Sequence, residues 1–286
     1  MFLQQQNIGG YNFYLFFIII LLYYLLLRII MSNFDIHKFK LKDIVLGSII
    51  GIIGKRNTGK SILLKELIYN FKDVRIIIVS LSEKKNKFFS KFCPSAFIYE
   101  EYDPDIFTKV LAMQDSFIQK YGKDDKKSQL LLILDDCLCE KKIWKNKQFL
   151  EVITNGRHSA ITMIFTLQYP IAIENSVRGN LDYIFIFSQE CVNDKKRIFD
   201  NFVSCFDNIK QFNATLDICT EDYSSLVINR RCNSNLITKK ILWFKASLTL
   251  PVFVAGSKDQ WKHDEKSKLN KIPIHTKNGI NIRKIN

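Results

Sequence analysis

The chain has 286 residues, 47% hydrophobic and 24% charged, with 11 Gly and 5 Pro, which excludes a disordered, collagen-like or low-complexity polymer. Its 42 Lys+Arg against 28 Asp+Glu give a net charge of +14. That excess favours a polyanionic partner, either nucleic acid or an anionic membrane surface, without choosing between them.

In chain order, the first feature is an uncharged apolar run, Tyr11 to Leu27, followed by Arg28. It lies near the lower limit of the ~20 residues that span a bilayer as a helix. Lacking a basic n-region and a small-residue cleavage site, it makes a poor signal peptide. As a span over residues 11–30 it would associate the chain with a membrane, with Arg28, Lys38, Lys40 and Lys42 holding the remainder on the cytoplasmic side. The competing expectation is that residues 1–30 are a misassigned start or a dispensable extension, ahead of an ordinary soluble start at Met31-Ser32-Asn33.

A strand-type run, Gly47 to Ile53, leads directly into Gly54-Lys55-Arg56-Asn57-Thr58-Gly59-Lys60-Ser61, and from Ile62 apolar residues recur at helical spacing to Asn70. This is G-x-x-x-x-G-K-S in its strand–loop–helix setting, a phosphate-binding loop. Glycines let successive N–H groups turn inward around phosphates, and the helix N-terminus adds its positive end. Lys60 is expected on the outer phosphates and Ser61 on Mg²⁺, so the chain is expected to bind ATP with Mg²⁺ through residues 54–62.

A second strand is expected at Val74–Ser80, and a third, Gln129–Leu134, runs into Asp135-Asp136. The first carboxylate is expected on the metal, and the second as the group that orients and deprotonates an attacking water. Later strands follow at Ile161–Leu167 and Tyr183–Phe187, giving the βαβ rhythm of a parallel sheet. An interposed strand between the loop and the acidic strand marks the water-attack ATPase branch, and no LSGGQ-type signature of transporter ATPases occurs. Asp136 is one methylene shorter than the Glu usual there, so a merely solvated strand-end carboxylate stays open. Gln168 follows Leu167 at the strand edge where α/β sheets bind ligands, and is expected to sense the γ-phosphate or hold the water. Arg157 and Arg178 are the candidates for an arginine acting in trans, against the ordinary reading of solvated surface groups.

The seven Cys include no CxxC pair, and none of the four His stands at a metal-ligand spacing from a Cys. Reduced thiols fit this better than a disulfide framework or a structural zinc site.

Four stretches now carry a resemblance: IIGKRNTGKSILLKELI, FIYEEYDPDIFTKVLAMQ, LLLILDDC and TNGRHSAITMIFTLQYPIAIENSVRGNLDYIFIF, with ILWFKA closing the run. From Gly47 to about Lys245 the sequence resembles the genome-packaging ATPases of nucleocytoplasmic large DNA viruses (poxvirus and giant-virus type), of the FtsK–HerA superfamily. The resemblance implies an α/β, RecA-like P-loop core with a mainly parallel sheet of order 5-1-4-3-2 flanked by helices, the Gln168 strand lying between the P-loop and Asp135 strands. It further implies a homo-oligomeric ring that translocates double-stranded DNA, a capsid or portal partner, and a place in the virion and the host-cell viral factory. It assigns Lys60 and Ser61 to nucleotide and Mg²⁺, Asp135 and Asp136 to the acidic pair, Gln168 to the sensor, and Arg157 to the inter-subunit arginine.

The expected organisation is an apolar segment at 1–30, an ATPase domain at 31–250 and a basic, flexible tail at 251–286. The tail's Lys258, Lys262, Lys266, Lys268, Lys271, Lys277, Arg283 and Lys284 suit sequence-independent phosphate contact or plain solvation. Lys84, Lys85 and Lys87 are one candidate for a DNA-facing pore loop. Two other functions stay open: a membrane-anchored cellular DNA pump or helicase of the same superfamily, and a nucleotide-gated assembly protein without turnover.

Overall fold

Near-continuous Ile, Leu and Val runs form stable strands only when both faces are covered, and the central strands are built in this way. The computed structural model describes residues 35–137, 143–169, 175–203, 205–234, 236–270, 274–277 and 280–283. The expected apolar span at 11–30 lies outside them. No helix among the described residues is long and apolar enough to cross a membrane.

The strands are β1 (His37–Lys38), β2 (Ile49–Ile53), β3 (Arg75–Ser80), β4 (Ile98–Tyr99), β5 (Leu130–Asp135), β6 (Ile161–Leu167), β7 (Tyr183–Ile186), β8 (Ser224–Asn229) and β9 (Ile241–Lys245). Between them run α1 (Lys60–Asn70), α2 (Glu83–Asn86), α3 (Ile106–Tyr121), α4 (Lys147–Asn155), α5 (Asn175–Gly179), α6 (Val192–Phe202), α7 (Ile209–Cys219) and α8 (Ile237–Lys240). α9 (Lys258–Asn270) and a hairpin of β10 (Ile274–Lys277) and β11 (Ile280–Arg283) follow.

One nine-stranded sheet has the order β1-β9-β8-β7-β2-β6-β5-β3-β4. Its central five strands, β7-β2-β6-β5-β3, are parallel and give 5-1-4-3-2 when β2 is counted first. The expected order therefore holds for the core. Four further strands widen it: β4 beyond β3, and β8, β9 and β1 beyond β7, with β8 antiparallel to both neighbours. β5 lies next to β6, not β2, so the Gln168 strand separates the loop from the acidic pair.

α1 shows why the phosphate loop is held firmly. Leu63, Leu64, Leu67 and Ile68 are at most 1% exposed against Ile50, Ile52, Ile76 and Ile78 of the sheet, and each such side chain contributes about 1.5–3 kcal/mol on burial.

The flexible tail expected from residue 251 is corrected for its first part. Phe253 packs on Tyr69 and Phe92, and the Ala255 and Gly256 N–H groups donate to Phe92 and Lys72 carbonyls. In α9 the Gln260 amide accepts from Ile76 N (2.9 Å) and donates to Ile76 O (2.7 Å), standing in for a neighbouring strand. Asp264, 1% exposed, accepts from Ser95 Oγ and Ala96 N and pairs with Lys268. Burial pushes its pKa up, but the hydrogen bonds from Lys268, Ser95 and Ala96 outweigh this and hold it below the usual aspartate value. The helix is anchored by polar side chains, which a search for apolar periodicity passes over.

Candidate nucleotide site

β2 ends in the buried core, and the chain then turns sharply. Gly54 N donates to Leu167 O (3.0 Å), stitching the loop's first residue to β6. A Cβ on Gly54 would stand 2.7 Å from Phe187 Cβ and 2.8 Å from Thr58 Oγ1, so the cradle closes only around a hydrogen. Gly59 has φ +105°, the left-handed region open to glycine, and it caps α1. Asn57, φ +61°, turns the loop in the way asparagine tolerates. Thr58 Oγ1 donates to Lys55 O (2.8 Å), while Lys60 Nζ donates to Gly54 O and Lys55 O. Burial lowers the Lys60 pKa, opposed by the charges of Asp136 and Asp135.

The loop forms one wall of a cavity of about 1100 Å³ at the C-terminal edge of the sheet. Lys55, Arg56, Asn57, Gly59, Lys60, Ser61 and Ile62 line it, and Asp135, Asp136 and Gln168 face them. Gly54 and Thr58 are not among the residues that line it. Gln168 Nε2 donates to Asp136 Oδ2 (2.6 Å), so the expected sensor and base form one unit.

Two residues that sequence reasoning missed build the acidic pair. Thr166 Oγ1 on β6, 1% exposed, accepts from Asp136 N (2.9 Å) and donates to Asp135 Oδ1 (2.8 Å). Ser80 Oγ, at the end of β3, donates to Asp135 Oδ2 (3.1 Å). These contacts hold Asp136 at φ +52°, a conformation aspartate visits more readily than most residues. Burial and the Asp136 charge raise the Asp135 pKa, while Thr166, Ser80 and Lys60 pull it down. The available signal for both residues was position, since each is a hydroxyl residue within the last residues of a strand reaching this edge.

The two arginines are not brought to this cavity. Arg157 is exposed beside Gly47, where an added Cβ would meet its Cα at 3.3 Å, ahead of β2. The loop follows β2's other end, beyond a strand of five residues that is itself about 16 Å long. Arg178 donates to Asn201 of α6, and its carbonyl accepts from Arg230. Of the lysines considered for a pore loop, Lys85 lines the cavity and Lys84 stands 4.0 Å from Glu101.

The residues fit a Mg²⁺–nucleotide. The loop residues 55–57 and 59, the Lys60 ammonium, the Ser61 hydroxyl at the first turn of α1 and the Asp135 carboxylate, fixed by two hydroxyl donors, line one cavity. A loop of this kind at a helix N-terminus is where backbone N–H groups bind phosphate.

Known proteins resemble this chain in sequence and in fold. The sequence is 32% identical over 223 residues to an uncharacterized protein of Acanthamoeba polyphaga mimivirus, covering 75% of this chain and 78% of that one. The fold resembles the genome packaging NTPase of Sulfolobus turreted icosahedral virus 2 in complex with AMPPCP, at TM-score 0.50 and 18% identity over 71% of this chain and 99% of the other. It also resembles the DNA-packaging ATPase of Sulfolobus turreted icosahedral virus, at TM-score 0.51 and 17% identity over 71% and 100%. The family model described as Poxvirus A32 protein matches residues 31–219, and the chain belongs to that family.

Proposed function

We propose that the chain is an ATP-driven double-stranded DNA translocase that packages a viral genome, hydrolysing ATP to ADP and phosphate. The observation that carries this reading is the Asp136–Gln168 unit, hydrogen-bonded at 2.6 Å and facing Lys60 across the cavity. An amide and a carboxylate there are the groups an attacking water needs. Membership of the A32 family supports it, as do the packaging roles stated for the two structurally similar viral NTPases.

In this mechanism the loop from Gly54 to Ile62 and the first turn of α1 bind the phosphates through backbone N–H groups. Lys60 leaves its loop carbonyls for the outer phosphates. Ser61 and Asp135 would hold Mg²⁺, which would neutralise charge on the outer phosphates. Asp136 and Gln168 orient water in line with the γ-phosphorus, and Asp136 accepts its proton as the bond to the leaving ADP breaks.

Arg157, exposed at the opposite edge of the sheet, suits the site of a neighbouring copy in a homo-oligomeric ring. An arginine supplied in trans can contribute about 10³–10⁵-fold in rate. Of the +14 charge, all but Arg28 lies beyond residue 30, where sequence-independent grip on DNA phosphates requires it. Such a motor acts beside a capsid or portal component, in the virion or the viral factory.

The test is ATP hydrolysis by the purified chain with and without double-stranded DNA. The reading expects DNA-stimulated turnover that Lys60→Ala abolishes. Tight ATP binding with no turnover in either condition would assign a nucleotide-gated assembly role instead.

A further inference from the structure

We propose that Tyr223 is the platform on which the nucleotide base stacks, so that base recognition comes from the loop entering β8. This rests on the ATP-binding reading of the cavity and extends it to a residue outside the phosphate-loop motif and the acidic pair.

The sheet supplies the geometry. The acidic pair belongs to β5, two positions to one side of β2, and β8 stands two positions to the other side. β8 runs antiparallel to β7, pairing Leu226 with Ile186 and Asn229 with Tyr183. Its first residue therefore arrives at the same edge as the phosphate loop, on the flank away from Asp135 and Asp136. A triphosphate with its γ end at Lys60, Asp136 and Gln168 passes the N-terminus of α1 and carries its sugar and base towards that flank.

Tyr223 waits there. It lines the cavity and is 68% exposed. Its carbonyl oxygen and Cβ lie 3.3 and 3.5 Å from the position of the Cβ that Gly59 lacks, directly over the start of α1. Asp222 (φ +51°) and Tyr223 (φ +60°) are consecutive non-glycine residues in the left-handed region, a strained arrangement that clusters where side chains must be aimed. An aromatic ring left uncovered at the wall of a phosphate cavity offers one face to a planar base. Tyr169, the other exposed aromatic lining the cavity, follows Gln168 on the acidic flank and so is placed towards the γ-phosphate end.

Calorimetric binding of ATP and of inorganic tripolyphosphate, each with Mg²⁺, separates base from phosphate contacts without relying on turnover. Tyr223→Ala is expected to weaken ATP binding about tenfold or more while leaving tripolyphosphate binding unchanged. Tyr223→Phe keeps the ring and is expected to bind ATP as the natural chain does. Tyr223→Gly, which adopts φ +60° freely, is expected to reproduce the alanine result and guards against loop misfolding. Equal loss of both ligands, or unaltered ATP binding in the alanine and glycine variants, overturns the proposal alone. A natural chain that binds neither ligand overturns the nucleotide reading and the proposal with it.

Discussion

Replacing Thr166 with valine nearly preserves volume and removes the one hydroxyl that ties the acidic pair together. The oxygen accepts the Asp136 N–H at 2.9 Å and donates to Asp135 at 2.8 Å, from a residue 1% exposed. A buried N–H left without a partner costs about 1–3 kcal/mol, and a lost hydrogen bond to a charged group about 1.5–3 kcal/mol. Ser80 still donates to Asp135 and the Asp136 amide is only partly buried, which places the net loss near 2–3 kcal/mol. Urea unfolding should show it as a lower midpoint with an unchanged slope. The pH dependence has a definite sign. Burial and Asp136 already raise the Asp135 pKa, and Thr166 is the first of the groups opposing them. Removing it raises that pKa further. In the proposed mechanism it is the deprotonated form that would hold Mg²⁺, so the acid limb of ATP hydrolysis is expected to move to higher pH. A carboxyl whose folded pKa is raised carries no penalty below its unfolded value, near 3.9, and a full one above its folded value. The valine deficit in stability is therefore larger at neutral pH than near pH 4. Thr166→Ser should restore both properties. A valine variant with natural stability and an unmoved acid limb would refute the reasoning.

Three further outcomes follow from separate contacts. Gly54→Ala drives a methyl to 2.7 Å from Phe187 Cβ and should lower stability by about 1–3 kcal/mol, with weaker ATP binding; an unshifted melting temperature would show that the loop has room. Gln260→Ala unpairs both Ile76 backbone groups, about 2–4 kcal/mol together, and hydrogen exchange at Ile76 and in α9 should accelerate, whereas unchanged protection would contradict the strand-mimic role. Arg157→Ala and Lys60→Ala subunits, each inactive alone, should regain ATP hydrolysis when mixed, because some interfaces then combine an intact loop with an intact arginine; a mixture that stays inactive removes Arg157 from the role.

The phosphate loop was legible because its residue types are dictated by the backbone: only glycine fits beneath Phe187 at position 54 and at φ +105° at position 59. Asp135, Asp136 and Gln168 were legible as polar residues ending apolar strands. Their mutual geometry was not, since Thr166 and Ser80 read as ordinary β-strand hydroxyls until β3, β5 and β6 are placed side by side. The 5-1-4-3-2 order came from resemblance, and pattern alone did not place the two-residue β1 and β4 at the sheet's margins. α9 escaped notice because its buried residues include Gln260 and Asp264, polar groups whose partners lie in β3 and in the turn at Ser95–Phe97. Tyr223 sits in no motif, and only the antiparallel course of β8 carries it to the loop.

Triplex displacement tests the central claim most directly: a labelled third strand is bound to linear double-stranded DNA, and its release is followed as the chain and ATP are added. A translocase predicts ATP-dependent release whose delay grows with the distance between DNA end and triplex, and none with Lys60→Ala. Steady ATP hydrolysis with the third strand left in place would contradict the account.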